Sequence, residues 1–433
     1  MTKKTKWVVA AVVAVAVVIV AFFSVNRLTG GKAEDTGEPV HITVMSWLGD
    51  PVQSGIEKMN ESFMKEHPGV VIEYEAVTGD DYRTVLQSRF AANDAPDIFM
   101  NAGYYWLDLF GDKLAPITDE EWAQYLPEAS RQRWGKGGEL YGFPINLQSI
   151  SFIYNKDLFE QAGIAEVPMT FRELKEACDK LEAIGVTPFA TCGSTTSKLA
   201  HSLNVAFGHQ EDPLGFIGKL RTGEAKMAEN EAFLQWADYF DFTLQHSYGD
   251  VLTTDMDTVY TLFATGKAAI IQEGSWCEGS IRAINPEINM GIMPMSISDN
   301  PGENLIAGDA ADGFVITQNE NTDICKELVA YWALSDEGVN IFKEYGMIPA
   351  MKNVDYNASE LGSVLNDADQ YFKEGNYFGW YWYAFPDLTA DMQLGSIMQS
   401  YIGGDVDKQG MLEQMDAKVA EIEAKNGQDK ESD

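Results

Sequence analysis

The chain has 433 residues, with 31 Lys and Arg against 66 Asp and Glu, a formal charge of −35 and 45% hydrophobic residues. That length suits two or three domains with ample core. The charge excludes nucleic acid and an anionic membrane surface as natural partners, and leaves a cationic solute open.

The first segment is basic, then apolar. Lys3, Lys4 and Lys6 precede an uninterrupted apolar run from Trp7 to Phe23. That is the pattern of an export signal. Residues 24–27 make a poor cleavage site, so 1–27 reads as an uncleaved membrane anchor, with a cleaved signal peptide as the alternative. No cysteine is present there for lipid attachment. Residues 28–40, rich in Gly, Lys, Glu and Asp, read as a tether.

From His41 the pattern alternates strand and helix. Ile42 and Val44 begin a strand ending at Ser46 and Trp47. Asp50 and Pro51 have the composition of a helix start, followed by a stripe of Val52, Ile56, Met59 and Phe63 at helical spacing. Residues 70–76 make a second strand, Asp80 starts a helix carrying Tyr82, Val85, Leu86 and Phe90, and residues 95–100 make a third strand leading to Tyr104, Tyr105 and Trp106. Such alternation predicts a parallel sheet with covering helices. In open α/β sheets ligands sit beyond the carboxyl ends of strands, where Trp47 and Tyr104 to Trp106 fall.

The stretch 141–164, YGFPINLQSISFIYNKDLFEQAGI, reads as loop, strand and helix. Gly142 and Pro144 punctuate its start, and Asn155 is the expected N-cap of the helix. Such a strand makes a natural hinge between lobes. Thr170 and Glu173 fit a capping box. Phe233, Trp236, Tyr239, Phe240 and Phe242 recur at helical spacing and read as core. Trp276 follows the apolar strand within TLFATGKAAIIQEGSW. A small-residue loop over 307–313, with Asp309 and Asp312 in it, returns to a strand. The spacing faintly suggests a calcium loop, but the oxygen ligands stop after two and no terminal glutamate follows. One helix is expected over 359–373. Seven aromatic residues crowd Tyr377 to Phe385. Helices over 388–401 and 408–424 and a disordered tail over 426–433 complete the chain.

Three stretches carry a resemblance: YGFP with YNKDLFEQAGI and the following P-x-T-F-x-E-L; GKAA with GSW; and Ala330, Trp332, Leu334, Ser335, Glu337, Gly338 and Phe342 across two helices. Together they resemble the family 1 extracellular solute-binding proteins, carbohydrate receptors of ABC importers related to the maltodextrin-binding proteins. The resemblance covers nearly all of 41–424. It implies an α/β, two-lobed periplasmic-binding-protein type II fold. Each lobe would be a mainly parallel sheet flanked by helices, lobe 1 from 41–145 and 308–350, lobe 2 from 146–307 and 351–425, joined by a hinge of crossovers near 141–149, 307–313 and Pro349. The implied function is extracytoplasmic capture of a sugar, an oligosaccharide for choice, by hinge closure. The implied partners are the carbohydrate and the importer's transmembrane subunits, with no nucleic acid and a monomeric chain.

A pyranose has apolar C–H faces and a polar rim, so flat aromatic rings and hydrogen-bonding side chains are the chemistry to seek. The candidate walls are Trp47, Tyr104, Trp276, Trp380 and Trp382; the candidate rim is Asp50, Asn146, Gln148, Asp309 and Asp312. No catalytic residue, metal or cofactor is expected. The four cysteines show no metal spacing, and buried free thiols are expected, a Cys178–Cys192 bridge being the alternative. Three other functions remain open: the same scaffold binding a polyamine-like cation; a glycoside hydrolase, for which no carboxylate pair is specified; and a surface interaction or sensor protein that has lost transport.

Overall fold

The computed structural model describes residues 39–432 apart from 50–51, 78–80, 304, 311, 345–346 and 388. The expected anchor and nearly all of the tether, and the candidate site residue Asp50 with Pro51, lie outside the described residues. Among the described residues no helix is long and apolar enough to cross a membrane.

In chain order, β1 (Val40–Ser46), β2 (Val70–Ala76), β3 (Ile98–Asn101) and β4 (Gly142–Pro144) enter one sheet. Next, β5 (Asn146–Asn155), β6 (Thr187–Ala190), β7 (Ala268–Gly274), β8 (Met290–Met293) and β9 (Ile306–Asp309) enter a second. β10 (Gly313–Ile316) returns to the first, and β11 (Ile348–Pro349) and β12 (Tyr377–Phe378) pair in the second. The first sheet runs β2-β1-β3-β10-β4 and the second β12-β9-β5-β7-β6.

Each sheet is mixed rather than mainly parallel, which corrects the expectation. β1 pairs parallel with β2 and β3, as alternating strand and helix require. β10, however, pairs antiparallel with both β3 and β4. In the second sheet β5 runs antiparallel to β7, β8, β9 and β11. The reason is connectivity. Strands that enter a sheet from the other lobe need no helical crossover within it, so nothing forces them parallel.

The local signals explain the helices. The helix Val52–Glu66 buries Ile56, Met59 and Phe63 on β1 and β2. Asn155 caps Lys156–Gln161, its Oδ1 accepting the Leu158 N–H at 3.1 Å. Thr170 caps Phe171–Ala183 through the Glu173 N–H at 3.2 Å, while the Glu173 carboxylate accepts the Met169 N–H at 2.9 Å. Two of the expected ends change. The helix foreseen over 359–373 is two, Ala358–Leu361 and Ser363–Glu374, parted at Gly362, whose φ of 131° an L-residue rarely adopts. The last helix, Lys408–Ser432, runs on through 426–432, where a disordered tail was expected. Its Ala-, Glu- and Lys-rich sequence suits a helix, and Lys425 pairs with Glu421 one turn back at 2.7 Å.

Beside a cluster of Ile153, Ile271, Met290 and Val364 on one face of the second sheet, two larger bodies of core result. One packs Trp122, Trp134, Phe143, Phe314 and Trp332 under the first sheet, and it includes Met351 and Val354. The other packs Phe152, Phe233, Trp236, Tyr239 and Phe240 with the last helices, through Met411 and Met415, under the second. The helix Glu231–Gln245 thus fills the core role read from the sequence. All four cysteines are free and buried.

Three short segments cross between the sheets side by side. Ile145 parts β4 from β5, and its N–H donates to the Asp312 carbonyl at 3.0 Å. Ala310 to Asp312 part β9 from β10. β11 then pairs with the first two residues of β5, Ile348 opposite Leu147 and Pro349 opposite Asn146.

Candidate functional site

A cleft of about 1090 Å³ opens between the two sheets. Its walls are set by where strands end. Trp47 follows β1, and its indole stands edge-on to Tyr82 at 5.1 Å and to Trp106 at 6.1 Å. On the facing side Trp276 follows β7. Trp276 lies 5.9 Å from Trp380 at an interplanar angle of 76°, and Trp380 stacks on Trp382 at 5.6 Å and 20°. His201 stacks on Trp382, 5.4 Å away at 14°, and stands edge-on to Trp276 at 6.5 Å. These rings form a corner, with Trp276 as the exposed wing at 40% of its surface and Trp380 and Trp382 as the 4% exposed floor. The aromatic stretch lies as β12 followed by the 3-10 turn Tyr381–Ala384, consistent with the extended or loop conformation that Gly375, Gly379 and Pro386 favour.

The crossing segments supply the polar floor. Asn146, Gln148 and Asp312 line the cleft. Gln148 Nε2 donates to Asp312 Oδ2 at 2.6 Å, and the Trp47 indole N–H also bonds Asp312. Burial pushes the Asp312 carboxyl up to about 6, against the opposing pull of Gln148 and Arg133. Asn146 Oδ1 and Trp380 Nε1 are buried and have no hydrogen-bond partner among the described residues.

Each cation in the cleft wall has a carboxylate beside it. Arg83 Nη1 lies 3.0 Å from Asp391, Lys198 Nζ 2.7 Å from Glu273, and Arg282 Nε 2.8 Å from Glu278. Lys198 also sits 5.1 Å over the Trp276 ring. His201 is held well below its ordinary range, first by burial and then by the Lys198 charge, so it is neutral at pH 7. Among the described residues no group of three or more His, Cys, Asp or Glu is placed to hold a metal.

Of the candidate residues, the structure brings Trp47, Asn146, Gln148, Trp276, Asp312, Trp380 and Trp382 to one cleft. Tyr104 and Asp309 do not line it, a correction to their expected place. Asp309 is buried behind the aromatic stretch, where it pairs with Arg133 Nη1 and accepts the Trp380 N–H at 3.0 Å. Tyr104 lies against the same guanidinium, 4.8 Å from ring to Cζ, with Tyr383 at 5.2 Å as another ring beside it. The chain turns sharply after β3, with Tyr104 at a φ of 48°, which aims its ring at Arg133 rather than at the cleft. Sequence reasoning missed Arg83, Lys198, His201 and Asp391. Arg83 and Asp391 sit on the helices Asp81–Ala91 and Ala390–Ile402, Lys198 on the short helix Thr196–Ala200 and His201 in the 3-10 turn after it, and none carries a local motif; the pairing of Lys198 with Glu273, 75 residues away, exists only in the fold.

The family model described as bacterial extracellular solute-binding protein matches residues 47–338. The melibiose/raffinose/stachyose-binding protein of Bacillus subtilis (strain 168) is 26% identical over 278 residues, 61% of this chain and 63% of that protein. The maltotriose-binding protein of Pyrococcus abyssi is 25% identical over 318 residues, 69% of this chain and 65% of that protein. Each match therefore spans less than two thirds of the relative. A solved binding protein of Bacillus subtilis in an open conformation superposes with a TM-score of 0.78 at 19% identity, covering 91% of this chain and all of that one. At that identity the likeness is one of fold: two lobes about a cleft.

Proposed function

The chain belongs to the bacterial extracellular solute-binding proteins, and from that premise we propose that it captures a neutral oligosaccharide outside the cytoplasm and delivers it to an ABC importer. The observation that carries this reading is the ring corner. Trp276 and Trp380 present two aromatic planes at 76° in a cleft floored by Asn146, Gln148 and Asp312. Aromatic planes suit the C–H faces of sugar rings, and the amide and carboxylate oxygens suit their hydroxyls. The volume of about 1090 Å³ is at the top of the range for sites that enclose small ligands, which favours several linked rings over one. The named sugar ligands of the two relatives agree.

A cationic solute finds less support, because of the acids lining the cleft Glu278 and Asp391 are already paired with Arg282 and Arg83, and burial disfavours the charge of Asp312. Members of the family are binding proteins, and the absence of hydrolysis is part of the proposal; oligosaccharides incubated with the protein should stay intact.

The mechanism in this reading is hinge closure. The expected lobe bounds, 41–145 with 308–350 and 146–307 with 351–425, shift by a few residues, since Gly308, Asp309, Ile348 and Pro349 pair in the second sheet and Met351 and Val354 pack under the first; the lobes meet at the crossing segments, and a ligand touching both walls favours the closed form by its differential affinity. The protein acts as a monomer, attached to the membrane by its N-terminal segment. A thermal-shift screen with raffinose, stachyose and maltotriose tests the function. A sugar at 100 times its dissociation constant adds about 2.7 kcal/mol. No shift with any sugar, and a shift with polyamines, would overturn it.

A further inference from the structure

Gly274 is the last residue of β7, buried opposite Ile150 of β5. Its φ of −86° and ψ of 162° are ordinary extended backbone, so the main chain there does not call for glycine. A side chain two residues on does. A Cβ on Gly274 would stand 2.1 Å from Cη2, 2.2 Å from Cζ3 and 2.3 Å from Cζ2 of Trp276. Carbon atoms in favourable contact stand about 3.5–4.0 Å apart, so no side chain fits at 274 while the indole lies where it does.

We propose that Gly274 is a positioning residue for the ligand site: its bare backbone is the berth for the benzo edge of Trp276, and this berth sets the angle of that indole to Trp380. The proposal rests on the reading of Trp276 as a wall of the sugar site. Lys198 supplies the second restraint. Its ammonium is fixed by Glu273 at 2.7 Å and lies 5.1 Å from the centre of the Trp276 ring. Berth and cation together hold a ring that is 40% exposed and otherwise touched edge-on by Trp380 and His201. A methyl group at 274 forces the ring away by on the order of an ångström. Because the ring borders the open cleft, the displacement changes the aim of the wall and the width of the corner more than it changes the fold. Position 274 thereby bears on which flat ligands the corner accepts.

The test compares Gly274→Ala, Trp276→Ala and the double variant in the full-length protein. Binding is read by titration calorimetry with raffinose, stachyose and maltotriose, and ring geometry by near-ultraviolet circular dichroism. The berth predicts that Gly274→Ala weakens binding by on the order of tenfold, the scale of losing a stacked aromatic ring, and alters the near-ultraviolet spectrum. It further predicts that the double variant matches Trp276→Ala in affinity, spectrum and melting temperature, because the clash needs the indole. Unchanged affinity and spectrum in Gly274→Ala overturn the proposal, as does a double variant clearly weaker than Trp276→Ala. If Gly274→Ala does not fold, a double variant folding like Trp276→Ala supports the berth, and one that stays unfolded overturns it. If the unaltered protein binds none of the three sugars, the sugar reading fails, and the spectra alone decide on Gly274.

Discussion

The carboxylate of Asp309 accepts the backbone N–H of Trp380 at 3.0 Å. One residue of a strand at the crossing between sheets thus holds the start of the ring corner, although 71 positions separate the two. The same carboxylate receives Arg133 from the first lobe, a guanidinium with no exposed surface. Lobe 1, the crossing and the floor of the cleft therefore meet at a single side chain.

Asp309→Ala is expected to cost stability on the order of 3–5 kcal/mol, since it leaves the Arg133 charge buried without its partner. Asp309→Asn restores an acceptor for the Trp380 N–H but not the charge, and should recover only part of the loss. Urea unfolding of the three proteins measures this. Equal stability of all three would show that Arg133 finds its compensation elsewhere.

Arg83 and Asp391 face each other across the cleft through two bonds, 3.0 and 3.4 Å long, from helices of opposite lobes. Both side chains are largely buried. Removing one partner strands the other, whereas replacing both by apolar residues of like volume removes two desolvation costs together. Arg83→Met and Asp391→Leu should each lower the melting temperature, and the double variant should lie closer to the unaltered protein than either. A double variant as unstable as the sum of the singles would show that the pair does not act as a unit.

Much of this was legible in the sequence because the signals were local. Asn155 and Thr170 cap helices as their types demand, and Ile56, Met59 and Phe63 face a core as their spacing demands. Trp47 and Trp276 could be placed because both follow strand ends, and strand ends face a cleft. Tyr104 follows a strand end as well, yet its left-handed φ of 48° turned it toward Arg133, and no sequence rule announces such a turn at a tyrosine. The strand directions were misread for a related reason. Alternation of strand and helix reports how neighbours in sequence pair, while β5 and β10 take partners from distant parts of the chain. Asp309 looked like a rim residue because its acidity was visible and Arg133 was not yet beside it.

Trp276 and Trp382 should separate binding from stability. Trp276 is 40% exposed and Trp382 only 4%. Trp276→Ala is expected to lose binding by about 1–3 kcal/mol, by analogy with bases stacked on aromatic rings, with little change in melting temperature. Trp382 also packs among the second-lobe core residues, so Trp382→Ala should cost about 3–5 kcal/mol of stability as well as binding. Calorimetry with a bound sugar and thermal melts on both variants decide. A Trp276→Ala variant of unchanged affinity would remove the exposed wing from the site.

Asp312 should leave a mark on the pH dependence of stability. Its carboxyl lies in the folded protein at about 6 against an ordinary value of 3.8, because burial disfavours the charge more than Gln148, Arg133 and Trp47 favour it. Between those two values the folded chain keeps a proton that the unfolded chain has released. The folded state is therefore penalised progressively as pH rises from about 4 to about 6, and above that the penalty is constant. A shift of about two pH units corresponds to on the order of 3 kcal/mol. Asp312→Asn keeps an oxygen to accept from Gln148 and has no charge to bury, so it should escape this penalty. Its stability relative to the unaltered protein should rise between pH 4 and pH 7 by that amount, while other carboxylates cancel in the comparison. Urea unfolding of the two proteins at pH 4, 5, 6 and 7 gives the difference directly. A difference that stays flat across the series would mean that Asp312 ionises like an exposed carboxylate. The crossing segments would then be wetter than their packing implies, and Asp312 would stand as a nearly full negative charge at the floor of the cleft from pH 5 upward. That outcome would also strengthen the case for a cationic ligand, so the same four measurements bear on the choice between a sugar and a cation.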